Sequence, residues 1–185
     1  MNQRGRTGER PSLPSSLRRG QVSSTPHGES GAASPEVRDW LTRNGWYPAR
    51  DIGERADELI QVRIQDAEQQ GTPLPPVSAA LRVVHAYGLL DLKHPTIQGS
   101  AWIMKSTIGY KGDAANIREL AFGLGVELFP IGYEASEYGI LLADEKGRFF
   151  HLHDTGGYYL GENDFDAFSR FLDGVVAPDA EDFFV

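Results

Sequence analysis

His151-Leu152-His153-Asp154 places three side chains of interest for chemistry, two imidazoles and a carboxylate, in one short run. On a strand, His151 and His153 fall on one face, a spacing that suits two metal ligands. A metal ion needs three or four ligands, and His27, His85 and His94 belong to an N-terminal arm, a helix and a strand end. The pattern therefore predicts hydrogen-bonded or solvated histidines and no metal site. Gly123-Leu124-Gly125 has the glycines of a phosphate loop but follows a helix, whereas such loops follow a strand and open a helix, so a helix C-cap is expected. The serines lie in the arm, near helix caps or in turns, and no Gly-x-Ser-x-Gly elbow occurs, so no nucleophile triad is expected. Asp144 and Glu145 fall in a hairpin turn, where Asp has a turn-forming reason to be present. No catalytic residue and no cofactor site is assigned, and the chain reads as a non-enzyme.

Recognition chemistry is better represented. Tyr133, Tyr138, Tyr158 and Tyr159 cluster in sequence with Glu134, Glu137, Glu162 and Asp164. Tyrosine anchors protein interfaces and carboxylates select a basic partner, so these eight residues are the candidate partner-binding set. The competing reading is that the tyrosines pack the sheet and leave their hydroxyls at its surface.

Charge points the same way. The 185 residues carry a formal net charge of −8, divided as +3 over residues 1–35 and −11 over the remainder. An acidic domain repels phosphates, so nucleic-acid binding by the folded part is not expected, and it steers a basic protein toward itself. Hydrophobic residues make up 40%, enough for one core, yet no apolar run approaches the ~18 residues of a membrane span. The sequence contains no cysteine, which removes disulfides and thiolate metal sites and suits a reducing compartment. Arg18-Arg19 leads into Gly20-Gln21-Val22-Ser23-Ser24 with no apolar h-region, so a cytoplasmic location is expected.

These residues must be positioned by the elements around them. Residues 1–34 are rich in Gly, Ser, Pro and Arg and are expected to be a disordered basic arm. Ser34-Pro35-Glu36 starts a helix as N-cap, N1 and acidic first turn, and Gly45 stops it. Further helices are expected over 54–70, from Val77 to Tyr87, over 114–122 and over 164–172. Strands are expected over 89–94, 101–108, 127–131, 138–143, 148–153 and 158–160, with Asp144-Glu145-Lys146-Gly147 as a hairpin turn. Helices first, then an antiparallel meander and a closing helix, make an α+β fold over 35–176, followed by an acidic tail over 177–185. The tail carries Phe183 and Phe184, and the sequence leaves open whether they dock.

Two segments together resemble the SUKH superfamily, in particular its third family of immunity proteins. One is Trp40-Leu41-x-x-x-Gly45-Trp46-x-Pro48-x-Arg50. The other runs from Gly125 through Pro130-Ile131-Gly132 to Tyr138–Phe150, including Asp144-x-x-Gly147-Arg148. Between them, Ala86-Tyr87-Gly88-Leu89-Leu90 is similar to the family's Phe-Gly-Gly-Leu step, with its second glycine replaced by Leu89. The resemblance covers about residues 36–175, and 92–120 match poorly. These motif residues also have fold-determining roles of their own: Gly45 ends a helix, Trp46 turns inward, Pro130 blunts a sheet edge, Gly132 allows a bend, and Arg148 snorkels from a strand start. The resemblance implies a domain that neutralises a bacterial toxin, a basic nuclease or deaminase, by binding it and covering its active site. A regulatory or scaffold binder of the same fold is the alternative.

Overall fold

The computed structural model describes residues 33–185; the arm expected over 1–34 lies outside them but for its last two residues. Among these described residues, five α-helices pack around one antiparallel sheet, with β1 Asp91–Lys93, β2 Ala101–Ile103, β3 Leu128–Glu134, β4 Gly139–Asp144, β5 Phe149–His153 and β6 Gly156–Gly161 lying side by side in chain order. The helices are α1 Pro35–Arg43, α2 Glu54–Gln69, α3 Ser78–Tyr87, α4 Asp113–Leu124 and α5 Asp164–Leu172. This is the α+β arrangement read from the sequence.

Local chemistry sets the ends of the helices. The Ser34 hydroxyl accepts the Val37 amide at 3.2 Å, with Pro35 at the start of α1. Gly45, at φ 91°, then lets its own amide reach Thr42 O and that of Trp46 reach Leu41 O, a Schellman closure. Gly125 closes α4 in the same way, through Gly125 N to Phe122 O and Val126 N to Ala121 O. The Gly123–Gly125 run is therefore the helix cap its position suggested. Arg50 acts on another helix end: its guanidinium donates 2.8 Å bonds to Ala86 O in the last turn of α3 and to Gly88 O just beyond it.

Strand pairing fixes which residues share a face. Leu141 pairs with His151, Ala143 with Phe149 and His151 with Tyr158. On the same face Glu134 pairs with Gly139 and Trp102 with Glu134. Phe168 of α5 caps one end of this face, its ring 5.7 Å from Trp102 and 6.2 Å from Phe149. The opposite face carries Phe150, Leu152 and Tyr159. Leu120 of α4 and a terminal 3-10 turn, Ala180–Phe183, cover it next to Gly157.

Four expectations need adjustment. Pro130 is not on an outer strand, since β3 is third of six; β2 reaches only Tyr133 and Glu134, so Pro130 occupies a local edge next to a bulge at Ile131. Trp46 is only half-buried, stacked on Tyr87 at 6.2 Å, and the buried tryptophans are Trp40 and Trp102. Arg148 does not snorkel freely: its Nε donates to Asp144 Oδ2 at 2.7 Å and its guanidinium lies over Phe150. The strand expected over 101–108 stops at Ile103, because the chain turns at Lys105, whose amide bonds Ile103 O. Elsewhere the hairpin reading holds, with Asp144 Oδ1 accepting the amides of Lys146 and Arg148 and Gly147 at φ 91°.

Both outer strands of the sheet are bonded on their free sides. On β1, the Lys93 carbonyl accepts the Trp40 indole N–H at 2.7 Å and its amide donates to Asn44 Oδ1 at 3.2 Å. On β6, Tyr159 N donates to Pro178 O at 2.9 Å and Tyr158 bridges to Asp179. The tail then stacks Phe183 on Tyr159 at 4.5 Å, seats Phe184 against Gly123, and Val185 N donates to Gly123 O. The tail aromatics, undecided from sequence, are docked.

The Gly88-Leu89 step explains the glycine pair in the resembling motif. A Cβ on Gly88 would lie 2.3 Å from Val84 O and 2.8 Å from Ile52 Cδ1. Leu89 holds φ 65°, the left-handed conformation that glycine adopts without steric cost. Gly88→Ala is expected to lower unfolding free energy by about 2 kcal/mol or more, and Leu89→Gly to change it by less than about 1 kcal/mol. Urea melts of the two variants check both.

Candidate functional site

On the face shared by Trp102, Glu134, Leu141, His151 and Tyr158, the sheet is left open beyond α5. The result is a groove of about 790 Å³, walled on one side by Phe171 and the chain after α5. Five of the eight candidate partner-binding residues border it: Glu134, Glu137, Tyr138 and Tyr158, and Tyr159 from the edge strand β6, its ring packed on the opposite face against Phe150 and Phe183. Tyr133 pairs with Ile140 and Ile103, which puts it on the other face, where burial raises its hydroxyl pKa above the ordinary 10.0. Glu162 lies outside the groove and accepts the Tyr159 hydroxyl at 2.9 Å. Asp164 at the start of α5 accepts the Tyr87 hydroxyl at 2.7 Å, tying α5 to α3, and burial together with this carboxylate pushes the Tyr87 pKa up.

The floor is built around a missing side chain. Gly139 sits opposite Glu134, and a Cβ there would lie 1.7 Å from His151 Nε2. The imidazole therefore occupies the space that glycine leaves. It is 5% exposed, and its Nε2 has no hydrogen-bond partner among the described residues. Its Nδ1 stands 4.0 Å from Glu137 Oε2, beyond hydrogen-bond range. Burial holds the His151 pKa below the ordinary 6.5, against the pull of Glu137 and Glu134.

Glu134 is equally enclosed, at 7% exposure. Its carboxylate accepts the Glu137 amide at 2.6 Å, the Ser136 hydroxyl at 2.7 Å and the Ser100 hydroxyl at 3.5 Å. All three donors are neutral, and no Lys or Arg among the described residues forms an ion pair with it. At the rim, Tyr138 is 72% exposed and held at φ 61°, the left-handed region that a tyrosine rarely adopts. Ile97, Val175 and Val176 add exposed apolar surface around it. The cation in the lining, Arg170, lies over the Tyr159 ring at 5.8 Å.

His151 and His153 do share a face, with ring centroids 6.1 Å apart. Among the described residues, no group of three or more His, Cys, Asp or Glu side chains is placed to hold a metal ion. Sequence reasoning missed Trp102, Phe171, Ser136 and Arg170 as groove residues. Trp102 and Phe171 belong to segments far apart in the chain, and nothing local to either points to the other.

His151 has a pH signature with a definite sign. Its folded pKa is depressed, so near pH 6 the unfolded chain binds more protons than the folded one, and stability rises with pH. Stability is expected to fall as pH drops below about 6.5, and His151→Phe, neutral at every pH, is expected to flatten that limb. Denaturant midpoints measured from pH 5 to pH 8 check this.

No helix among the described residues is long and apolar enough to cross a membrane. Comparison with curated proteins and with solved structures gave no match. The sequence model of the SUKH-3 immunity protein family matches residues 33–174, which contain α1 to α5, the whole sheet and most of the groove lining. With three quarters of its length covered, this chain belongs to the SUKH-3 immunity protein family.

Proposed function

We propose that this protein is a non-catalytic, cytoplasmic binding protein that neutralises a basic bacterial toxin, a nuclease or deaminase, by laying the open sheet face against it and covering its active site. The observation that carries this reading is the Tyr138 rim. A solvent-exposed tyrosine in a left-handed conformation contributes little to the core and costs backbone strain, on the order of 1–3 kcal/mol. Strain of that kind persists where a side chain must be presented to something else. Below the rim, buried acidic and unbonded polar groups give a basic partner its complement. The net −11 beyond residue 35 would speed the encounter and make it salt-sensitive.

The test is capture from the source cell on the immobilised full-length protein, followed by mass spectrometry of the bound proteins. One dominant basic partner with a nuclease or deaminase domain, whose activity the protein inhibits, supports the reading. A broad set of housekeeping proteins and no such partner rejects it and favours a regulatory binder. Tyr138→Gly separates binding from folding. It is expected to leave stability unchanged or raise it by up to about 1 kcal/mol, while partner affinity falls at least about tenfold. Thermal melts and titration calorimetry with the captured partner check the pair.

A further inference from the structure

The groove floor holds unsatisfied chemistry of a specific kind. Glu134 is a buried carboxylate with only neutral donors, and buried carboxylates are ordinarily paired with a cation. Glu137 donates its amide to it, and its own carboxylate, 4.0 Å from His151 Nδ1, receives no hydrogen bond from the described residues. His151, nine-tenths buried beside both, leaves its ring nitrogens without a hydrogen-bond partner among the described residues. A buried imidazole in this state lacks a bond it would ordinarily make. Tyr138 and Tyr158 stand at the edges with exposed ring surface, and Phe171 and Trp102 form an apolar wall. Arg170 does not fill the gap, since its guanidinium is placed over Tyr159.

We infer that this floor is an arginine pocket, in which a single arginine on a loop of the partner protein inserts its guanidinium between Glu137, Glu134 and His151 and lays its plane against a rim tyrosine. The inference rests on the groove being the partner-binding face. Arginine fits better than lysine on two counts. Its planar fork meets a carboxylate through two parallel N–H bonds and still has donors for a neutral imidazole nitrogen. Its faces stack on aromatic rings, which an ammonium point charge does less well, and its weaker hydration lowers the cost of entering a buried floor.

The probe is N-acetyl-arginine amide, titrated into isotope-labelled full-length protein and followed by NMR at fixed ionic strength. N-acetyl-citrulline amide serves as the uncharged isostere and N-acetyl-lysine amide as the alternative cation. Shifts are expected at Glu134, Glu137, Tyr138 and His151. The arginine probe is expected to bind at least about tenfold tighter than the citrulline probe and about threefold tighter than the lysine probe. Glu137→Gln, at an exposed position that does not threaten folding, is expected to weaken the arginine probe by about tenfold. Equal shifts from citrulline, a silent groove, or a Glu137→Gln variant that binds as well as the parent each overturn the pocket. These outcomes are independent of toxin capture. A groove that ignores arginine while a toxin still binds removes the pocket and keeps the immunity reading. A groove that binds arginine when no toxin is found does the reverse.

Discussion

Asp113→Ala is expected to destabilise the protein by about 3–5 kcal/mol, the cost of breaking a buried ion pair from one side. Arg63 of α2 is 1% exposed, and its guanidinium donates to Asp113 Oδ2 at 2.8 Å and to the half-exposed Asp66 at 2.5 Å. The fully buried Asp113 opens α4 and also accepts the Tyr110 amide and Gln70 Nε2. Gly109 leaves room for it, since a Cβ there would lie 2.1 Å from Asp113 Oδ2. Gln70 completes the knot, its Oε1 accepting the amides of Gly112 and Ala114 at the start of α4. Alanine at 113 strands a buried cation with one wet partner. Replacing both charges, Asp113→Ala with Arg63→Met, is expected to recover at least about 2 kcal/mol of that loss, because the desolvation penalty disappears with the pair. Urea denaturation of the two variants at pH 7, with unchanged slope, checks both.

Phe168→Ala is the second large effect, expected at about 3–5 kcal/mol from lost burial and the cavity left behind. The ring sits where α1, α3, α5 and the sheet converge, 5.6 Å from Trp40, 5.0 Å from Tyr87 and 5.7 Å from Trp102. Trp102 and Phe171, whose rings lie 4.8 Å apart and tilted at 39°, form the groove wall. Partner affinity is therefore expected to fall as well, even at temperatures where the variant remains folded. Tyr138→Gly gives the opposite pattern, losing binding without losing stability. Measuring melting temperature and partner affinity side by side distinguishes a wall that has collapsed from a rim that has been removed.

The helices were the most legible part of the sequence because their limits are local. Ser34-Pro35 and Gly45 bound α1, and Gly125 closes α4, through bonds spanning at most five residues. The β4–β5 hairpin was legible for the same reason, with Asp144 bonding amides two and four positions on. Residues 104–112 were not, because their course answers to Arg63, 50 residues away from Asp113 in the chain. A signal did exist there: Arg63 lies four positions after Leu59 and four before Ala67, on the buried stripe of α2. A charge in that stripe requires a buried counter-charge. The candidate site was half legible. Composition found the tyrosines and glutamates of β3, of the turn before β4 and of β6, but not that Gly139 would draw His151 beside Glu134, since that contact comes from strand register.

The bonding at Lys93 and at Pro178-Asp179 has a consequence for how the protein can be stored. A six-stranded sheet with two bare margins would offer rows of free amides and carbonyls to its neighbours and template its own polymerisation. Here helix α1 caps one margin and the tail straps the other. Copies of the chain can therefore crowd together without pairing strand to strand.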